Sequence, residues 1–99
     1  MMRIRVSRPA QRDLDEIFAY WARRASLDVA DRLIEAIGEQ LALLAELPQI
    51  GRRCDEIAPR VRCFPAGKYL IYYRRGRGTI QILHVVHGAR DQGGAFKNR

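Results

Sequence analysis

The segment VRCFPAGKYLIYYRRGRGTIQILHVVHGARD, residues 61–91, decides the fold. Three strand-like pieces, 61–64, 69–75 and 79–86, are separated by Pro65-Ala66-Gly67-Lys68 and by Gly76-Arg77-Gly78. Links this short force neighbouring strands to run antiparallel. In the middle piece Tyr69, Ile71 and Tyr73 share one face and Leu70, Tyr72 and Arg74 the other, so both faces are partly apolar. A sheet covered by helices on one side, with a second groove open to another chain, accounts for that pattern.

Working outward, residues 3–7 read as a short strand in which Ile4 and Val6 alternate with Arg3, Arg5 and Ser7. Ser7 is placed to cap a helix and Pro9 to occupy its first turn, where a missing N–H costs nothing. Ala10, Leu14, Ile17 and Trp21 then recur at helical spacing, while Arg12, Asp13, Glu16 and Arg23 occupy other faces. Ser26 caps a second helix with a stripe of Ala30, Leu33, Ile37, Leu41 and Leu44, widened by Ile34 and Leu47 and stopped by Pro48. That helix, residues 27–47, is ~32 Å long at 1.5 Å per residue. Gly38 inside it costs ~1 kcal/mol relative to Ala and points to close helix-to-helix contact. Residues 49–59 read as an irregular connector. The expected product is a single α+β domain over residues 1–99: an N-terminal strand, a helical hairpin and a three-stranded antiparallel meander. Its helices pack on one face of a mostly antiparallel four-stranded sheet, whose strand order is left open.

Eighteen basic residues against 11 acidic ones leave a net charge of +7, and Lys68 and Lys97 are the only lysines. Arginine's planar fork suits bidentate contact with carboxylates and phosphates, so an acidic partner is implied: nucleic acid, an acidic protein or a nucleoprotein. Cys54 and Cys63 lack the clustering of a zinc site and are too few for a disulfide framework, so they read as free thiols of a reducing compartment. No apolar run approaches the ~18 residues of a membrane span, and a cytoplasmic location without membrane partners is expected. Neither a metal nor a cofactor is called for by any residue cluster.

Several ordered motifs together resemble the ParE branch of the RelE/ParE superfamily of bacterial toxins across nearly the whole chain. They are Ser7 with Ala10, Asp13-Leu14 and Ile17 to Trp21, then Leu47-Pro48-Gln49-Ile50-Gly51-Arg52, then Val61-Arg62 with Phe64-Pro65. Lys68-Tyr69-Leu70-Ile71-Tyr72-Tyr73-Arg74 and Ile80-Gln81-Ile82-Leu83-His84-Val85-Val86-His87-Gly88-Ala89-Arg90-Asp91 complete the set. The resemblance implies a toxin of a type II toxin–antitoxin system in a hetero-oligomer with a ParD-like antitoxin. The antitoxin's disordered C-terminal segment would fold onto the toxin, and operator DNA would be met only indirectly, through the antitoxin.

Two mechanisms are known on this superfamily. ParE-like relatives poison DNA gyrase, trapping cleaved DNA and blocking replication, whereas RelE-like relatives cut messenger RNA on the ribosome. RNA cleavage needs a base, an acid and cations around the phosphate. Arg62, Arg74 and Arg90 supply candidate cations, and His84, His87 or Tyr72 candidate proton carriers, so a nuclease set would be Arg62, Arg74 and His87. No tyrosine follows Tyr73, and the ending Gly88-Ala89-Arg90-Asp91 is ParE-like. A gyrase inhibitor without catalytic residues of its own is therefore the first expectation. A RelE-type endoribonuclease is the alternative, and a stand-alone nucleic-acid-binding domain the third.

Target contacts are expected from Arg62, Tyr69, Arg74, His87 and Arg90, and antitoxin contacts from Trp21, Leu33, Ile37, Leu41 and Tyr72. Plainer roles compete for each. His84 shares a face with Ile80 and Ile82, tyrosines pack well in strands, and the helical stripes suit a core.

Overall fold

The computed structural model describes residues 1–88. Strand β1 (Arg3–Val6) leads into helices α1 (Arg8–Arg24) and α2 (Leu27–Glu46). The two-residue strand β2 (Arg52–Arg53) and the meander β3 (Val61–Ala66), β4 (Tyr69–Arg75) and β5 (Thr79–His87) follow. Among the described residues one sheet contains all the strands, in the order β1-β5-β4-β3-β2. The α+β architecture is the expected one, and β1 adds itself parallel to β5 with Arg3 opposite Thr79 and Val6 opposite Ile82.

The sheet has five strands instead of four because Arg52 and Arg53, expected in a connector, pair with Cys63 and Arg62. Two arginines have no periodicity to announce a strand. What places them is the buried Tyr73 hydroxyl, which accepts from the Gly51 N–H and donates to the Pro48 carbonyl, each at 2.9 Å. Gly51 is required there, since a Cβ would lie 2.5 Å from the Tyr73 hydroxyl oxygen. Gly38, by contrast, is exposed with open space where its Cβ would be, so the close helix contact expected of it is absent.

Both helices start as their caps predict. The Ser26 hydroxyl accepts from Val29 N at 3.1 Å. The Ser7 hydroxyl accepts from Ala10 N and donates to the Leu83 carbonyl, both at 3.1 Å, so the residue that starts α1 also ties it to β5. The main core fills the space between helices and sheet, with Ile17, Ile37, Leu41 and Leu44 against Ile71, Tyr73, Ile80, Ile82 and Val85.

A smaller core of Cys54, Val61, Cys63 and Tyr72 occupies the opposite face, where Ile57 and Ala58 cover it together with Leu83 and Val86. The second apolar face is thus partly closed by the chain's own connector. At the β3–β4 and β4–β5 links Gly67 and Gly78 supply φ of 62° and 64°, values that favour glycine.

Candidate functional site

A shift in the β4–β5 register is the local feature that shapes the site. Tyr73 faces Ile82 and Tyr72 faces His84, which leaves Leu83 as an extra residue on β5. Two residues past the bulge a carboxylate on α1 reaches the strand: Asp13 Oδ2 accepts from Val85 N and bonds His84 Nδ1, each at 2.9 Å. In the tautomer with its proton on Nδ1, His84 donates this bond to the carboxylate. His84 is packed, as its neighbours Ile80 and Ile82 predict, and Asp13 holds it there. Asp13 was expected on an outer helical face. Its placement within the Asp13-Leu14 motif was the available signal.

Below this clip a groove of about 600 Å³ runs between α1 and the paired ends of β4 and β5. Trp21 forms part of its wall and donates from Nε1 to the Tyr69 hydroxyl at 2.9 Å. Tyr20 stands edge-on to Trp21 at 5.2 Å and carries the Arg24 guanidinium 5.3 Å from its ring centre. His87 lies edge-on to Tyr69 at 5.5 Å, and its buried Nδ1 has no hydrogen-bond partner among the described residues. Asp13, Glu16 and Lys68 add charge to a lining that is otherwise aromatic and aliphatic, the latter from Ile17, Val85 and Val86.

At the other end of the sheet, where β3 starts and β4 stops, Arg53, Arg60, Arg62, Arg75 and Arg77 line a cleft of about 420 Å³. Arg62 is held by the carbonyls of Gly51 at 2.7 Å and Gln49 at 3.3 Å. Arg53 pairs with Asp55 at 2.7 Å. Asp55 also accepts from the Arg60 N–H, fixing Arg60 at a φ of 64°; that bond, assisted by Arg53, holds the Asp55 carboxyl below its usual range. No ion pair among the described residues engages the side chains of Arg60, Arg75 or Arg77. Of these five, only Arg62 was singled out from the sequence. The others sit in turns and at strand ends, and converge only once β2 is in place.

The residues expected to act together are spread apart. Arg62 faces Tyr73 across the ladder on the helix side, whereas Arg74 faces Val61 on the other side and donates to the Pro59 carbonyl at 3.4 Å. His87 is opposite Tyr69, five residues along β4 from Arg74, which is ~17 Å at 3.3–3.4 Å per residue. Tyr69 and His87 are brought together with Trp21, while Ile37, Leu41 and Tyr72 are buried in the chain's own cores and Leu33 is half-buried beside the main one. Arg90 lies outside the described residues. Among the described residues no group of three or more His, Cys, Asp or Glu side chains is arranged for a metal ion, and no helix is long and apolar enough to cross a membrane.

These features define a class first: a small basic α+β domain with an aromatic groove at one end of its sheet and an arginine cleft at the other. Residues 4–92 match the ParE toxin family of the type II toxin–antitoxin system, parDE, and the chain belongs to that family. It is similar to toxin ParE1 of Mycobacterium tuberculosis, 36% identical over 87 residues that cover 87% of this chain and 89% of that protein. Toxin ParE1 of Caulobacter vibrioides is 28% identical over 83 residues, covering 84% and 85%. Among solved structures, one described as the chromosomal ParDE TA system from P. aeruginosa superposes with a TM-score of 0.77 at 25% identity, covering 88% of this chain and 96% of that one.

Proposed function

We propose that this ParE toxin acts by occupancy: it binds DNA gyrase, traps the cleaved-DNA state and so blocks replication, and a ParD-like antitoxin neutralises it. The observation that carries this reading is the scattering of Arg62, Arg74 and His87. An arginine side chain reaches well under the ~17 Å that separates Arg74 from the His87 position along the strand, and Arg62 and Arg74 point from opposite faces. General acid–base cleavage needs its groups within hydrogen-bond reach of one phosphate, which supports binding over RNA cleavage. Arginine clefts and aromatic walls are what a macromolecular partner engages. Arg62, Tyr69, Arg74, His87 and Arg90 remain the proposed target-contacting residues, to which Arg60, Arg75 and Arg77 are added.

The antitoxin segment is proposed to lie along the groove beside α1, where Trp21 and Tyr20 offer accessible aromatic surface. Ile37 and Leu41, expected as direct antitoxin contacts, would support the helix side from within the main core, whereas Tyr72 lies in the smaller core on the opposite face of the sheet.

Purified toxin added to gyrase and plasmid DNA is expected to lower supercoiling and accumulate cleaved DNA, both reversed by antitoxin. Normal supercoiling at high toxin excess, together with cut messenger ends after induction in cells, overturns the proposal in favour of the endoribonuclease.

A further inference from the structure

The smaller core contains a pair of side chains that the toxin reading does not use. Cys54 N donates to the Val61 carbonyl at 2.7 Å, which extends the β2–β3 ladder by one rung and places Cys54 diagonally from Cys63. Their sulfurs touch at 2.7 Å, and both side chains are buried. A diagonal pair on adjacent strands, with nothing between the sulfurs, needs only a small approach to reach bonding distance. Arg52, opposite Cys63 on β2, donates from its guanidinium to the Cys63 sulfur at 3.6 Å. A cation beside a thiol is the setting in which its thiolate serves as a nucleophile.

We propose that Cys54 and Cys63 are a modification site: a peroxide oxidises them to a reversible disulfide within the chain. Cys63, as thiolate, attacks one oxygen of hydrogen peroxide; the O–O bond breaks, hydroxide leaves and Cys63 becomes a sulfenic acid. Cys54 sulfur then attacks the Cys63 sulfur, the S–O bond breaks, and the Cys54 proton leaves with the hydroxyl group as water. Overall two thiols lose two electrons and two protons, and the peroxide becomes two waters. Burial pushes the Cys54 thiol up to about 12, which fits its part as the partner that keeps its proton until the second step. A thiol this enclosed admits a small oxidant before a bulky one, which is why a peroxide is named.

The bond would close the segment between the two cysteines, nine positions apart, and staple the connector that carries Ile57 and Ala58 over Tyr72. The same segment presents Arg60 to the arginine cleft. Oxidation therefore stiffens one wall of that cleft without changing its charge.

The test treats the purified, reduced toxin with hydrogen peroxide at neutral pH, unfolds it, alkylates free thiols with iodoacetamide and measures the mass. The expected product is a monomer lighter by two hydrogens, unalkylated, with residues 54 and 63 joined in the peptide map and dithiothreitol restoring both thiols. Its melting temperature is expected to rise by roughly 10 °C, the effect of a short closed loop on a chain of this size. Cys54→Ser, treated alike, is expected to stop at a sulfenic acid on Cys63 that dimedone captures. Two alkylated cysteines after peroxide, a disulfide-linked dimer, or oxygen addition without loss of both thiols overturns the proposal.

Discussion

Replacing Asp13 by alanine is expected to cost more than replacing any other exposed or half-exposed charge among the described residues. Its carboxylate makes two bonds at 2.9 Å, one to the Val85 N–H and one to His84 Nδ1, and the histidine is nearly fully buried. Hydrogen bonds to a charged acceptor contribute ~1.5–3 kcal/mol each, and a buried donor left unpaired costs a similar amount. The two bonds share one acceptor oxygen, and the Asp13 side chain keeps 21% of its exposure, so the sum is taken toward its low end. About 3 kcal/mol is expected, a large part of the 5–15 kcal/mol typical of a domain. With ~2.1 cal/mol/K of unfolding entropy per residue, the melting temperature should fall by roughly 15 °C. Asn at this position keeps one acceptor and should lose about half as much. Urea unfolding followed by Trp21 fluorescence reads the change, with Asp15→Ala as the control. Asp15 bonds only Gln11 at an exposed site and should shift stability by under ~0.5 kcal/mol. If Asp13→Ala matches Asp15→Ala, the bulge does not depend on its clip.

Tyr73→Phe removes the hydroxyl that serves Gly51 N and Pro48 O, and leaves a buried N–H unpaired; a loss of ~2 kcal/mol is expected in the same urea assay. Two glycines should respond oppositely to alanine: Gly38→Ala should gain up to ~1 kcal/mol on a free helical face, whereas Gly51→Ala should destabilise by driving a methyl into Tyr73. In reductant, stability should fall in alkali. The Cys54 thiol is raised by burial from 9.0 to about 12, so the folded state keeps a proton that the unfolded chain releases. Its contribution is complete below pH 9 and is lost as pH climbs towards 12, at up to ~1.4 kcal/mol per pH unit. Burial raises Tyr73 in the same direction, so urea midpoints of Cys54→Ala and Tyr73→Phe measured across this range should each decline less steeply than those of the parent.

The helices and the meander were legible because their signals are local: serine caps, apolar stripes and links too short for anything but antiparallel neighbours. The place of β1 beside β5 was not, since four residues pairing with a segment 76 positions away leave no local mark. Strand β2 was invisible for a related reason, as its two arginines are held by Gly51 and Tyr73, not by any pattern of their own. Among the candidate residues, the stripe residues Ile37 and Leu41 settled into the core that helical spacing predicts. The tyrosines divided between the two faces as strand alternation requires. Asp13 escaped notice because a carboxylate on a helix is ordinarily solvated, and only a distant strand gives it an inward task. The arginine cleft escaped notice because convergence of chain turns is a property of tertiary structure.

The seam between the first strand and the last has a bearing on synthesis. Arg3 meets Thr79, and Ser7 meets Leu83, so two segments 76 positions apart must find each other before the sheet is whole. Helical hairpins assemble quickly, while pairings of such sequence separation bear the full entropic cost of closing a long loop first. During translation the nascent polypeptide therefore carries a finished pair of helices but an unsealed sheet until β5 has been made. That delay is built into the order in which the strands were threaded.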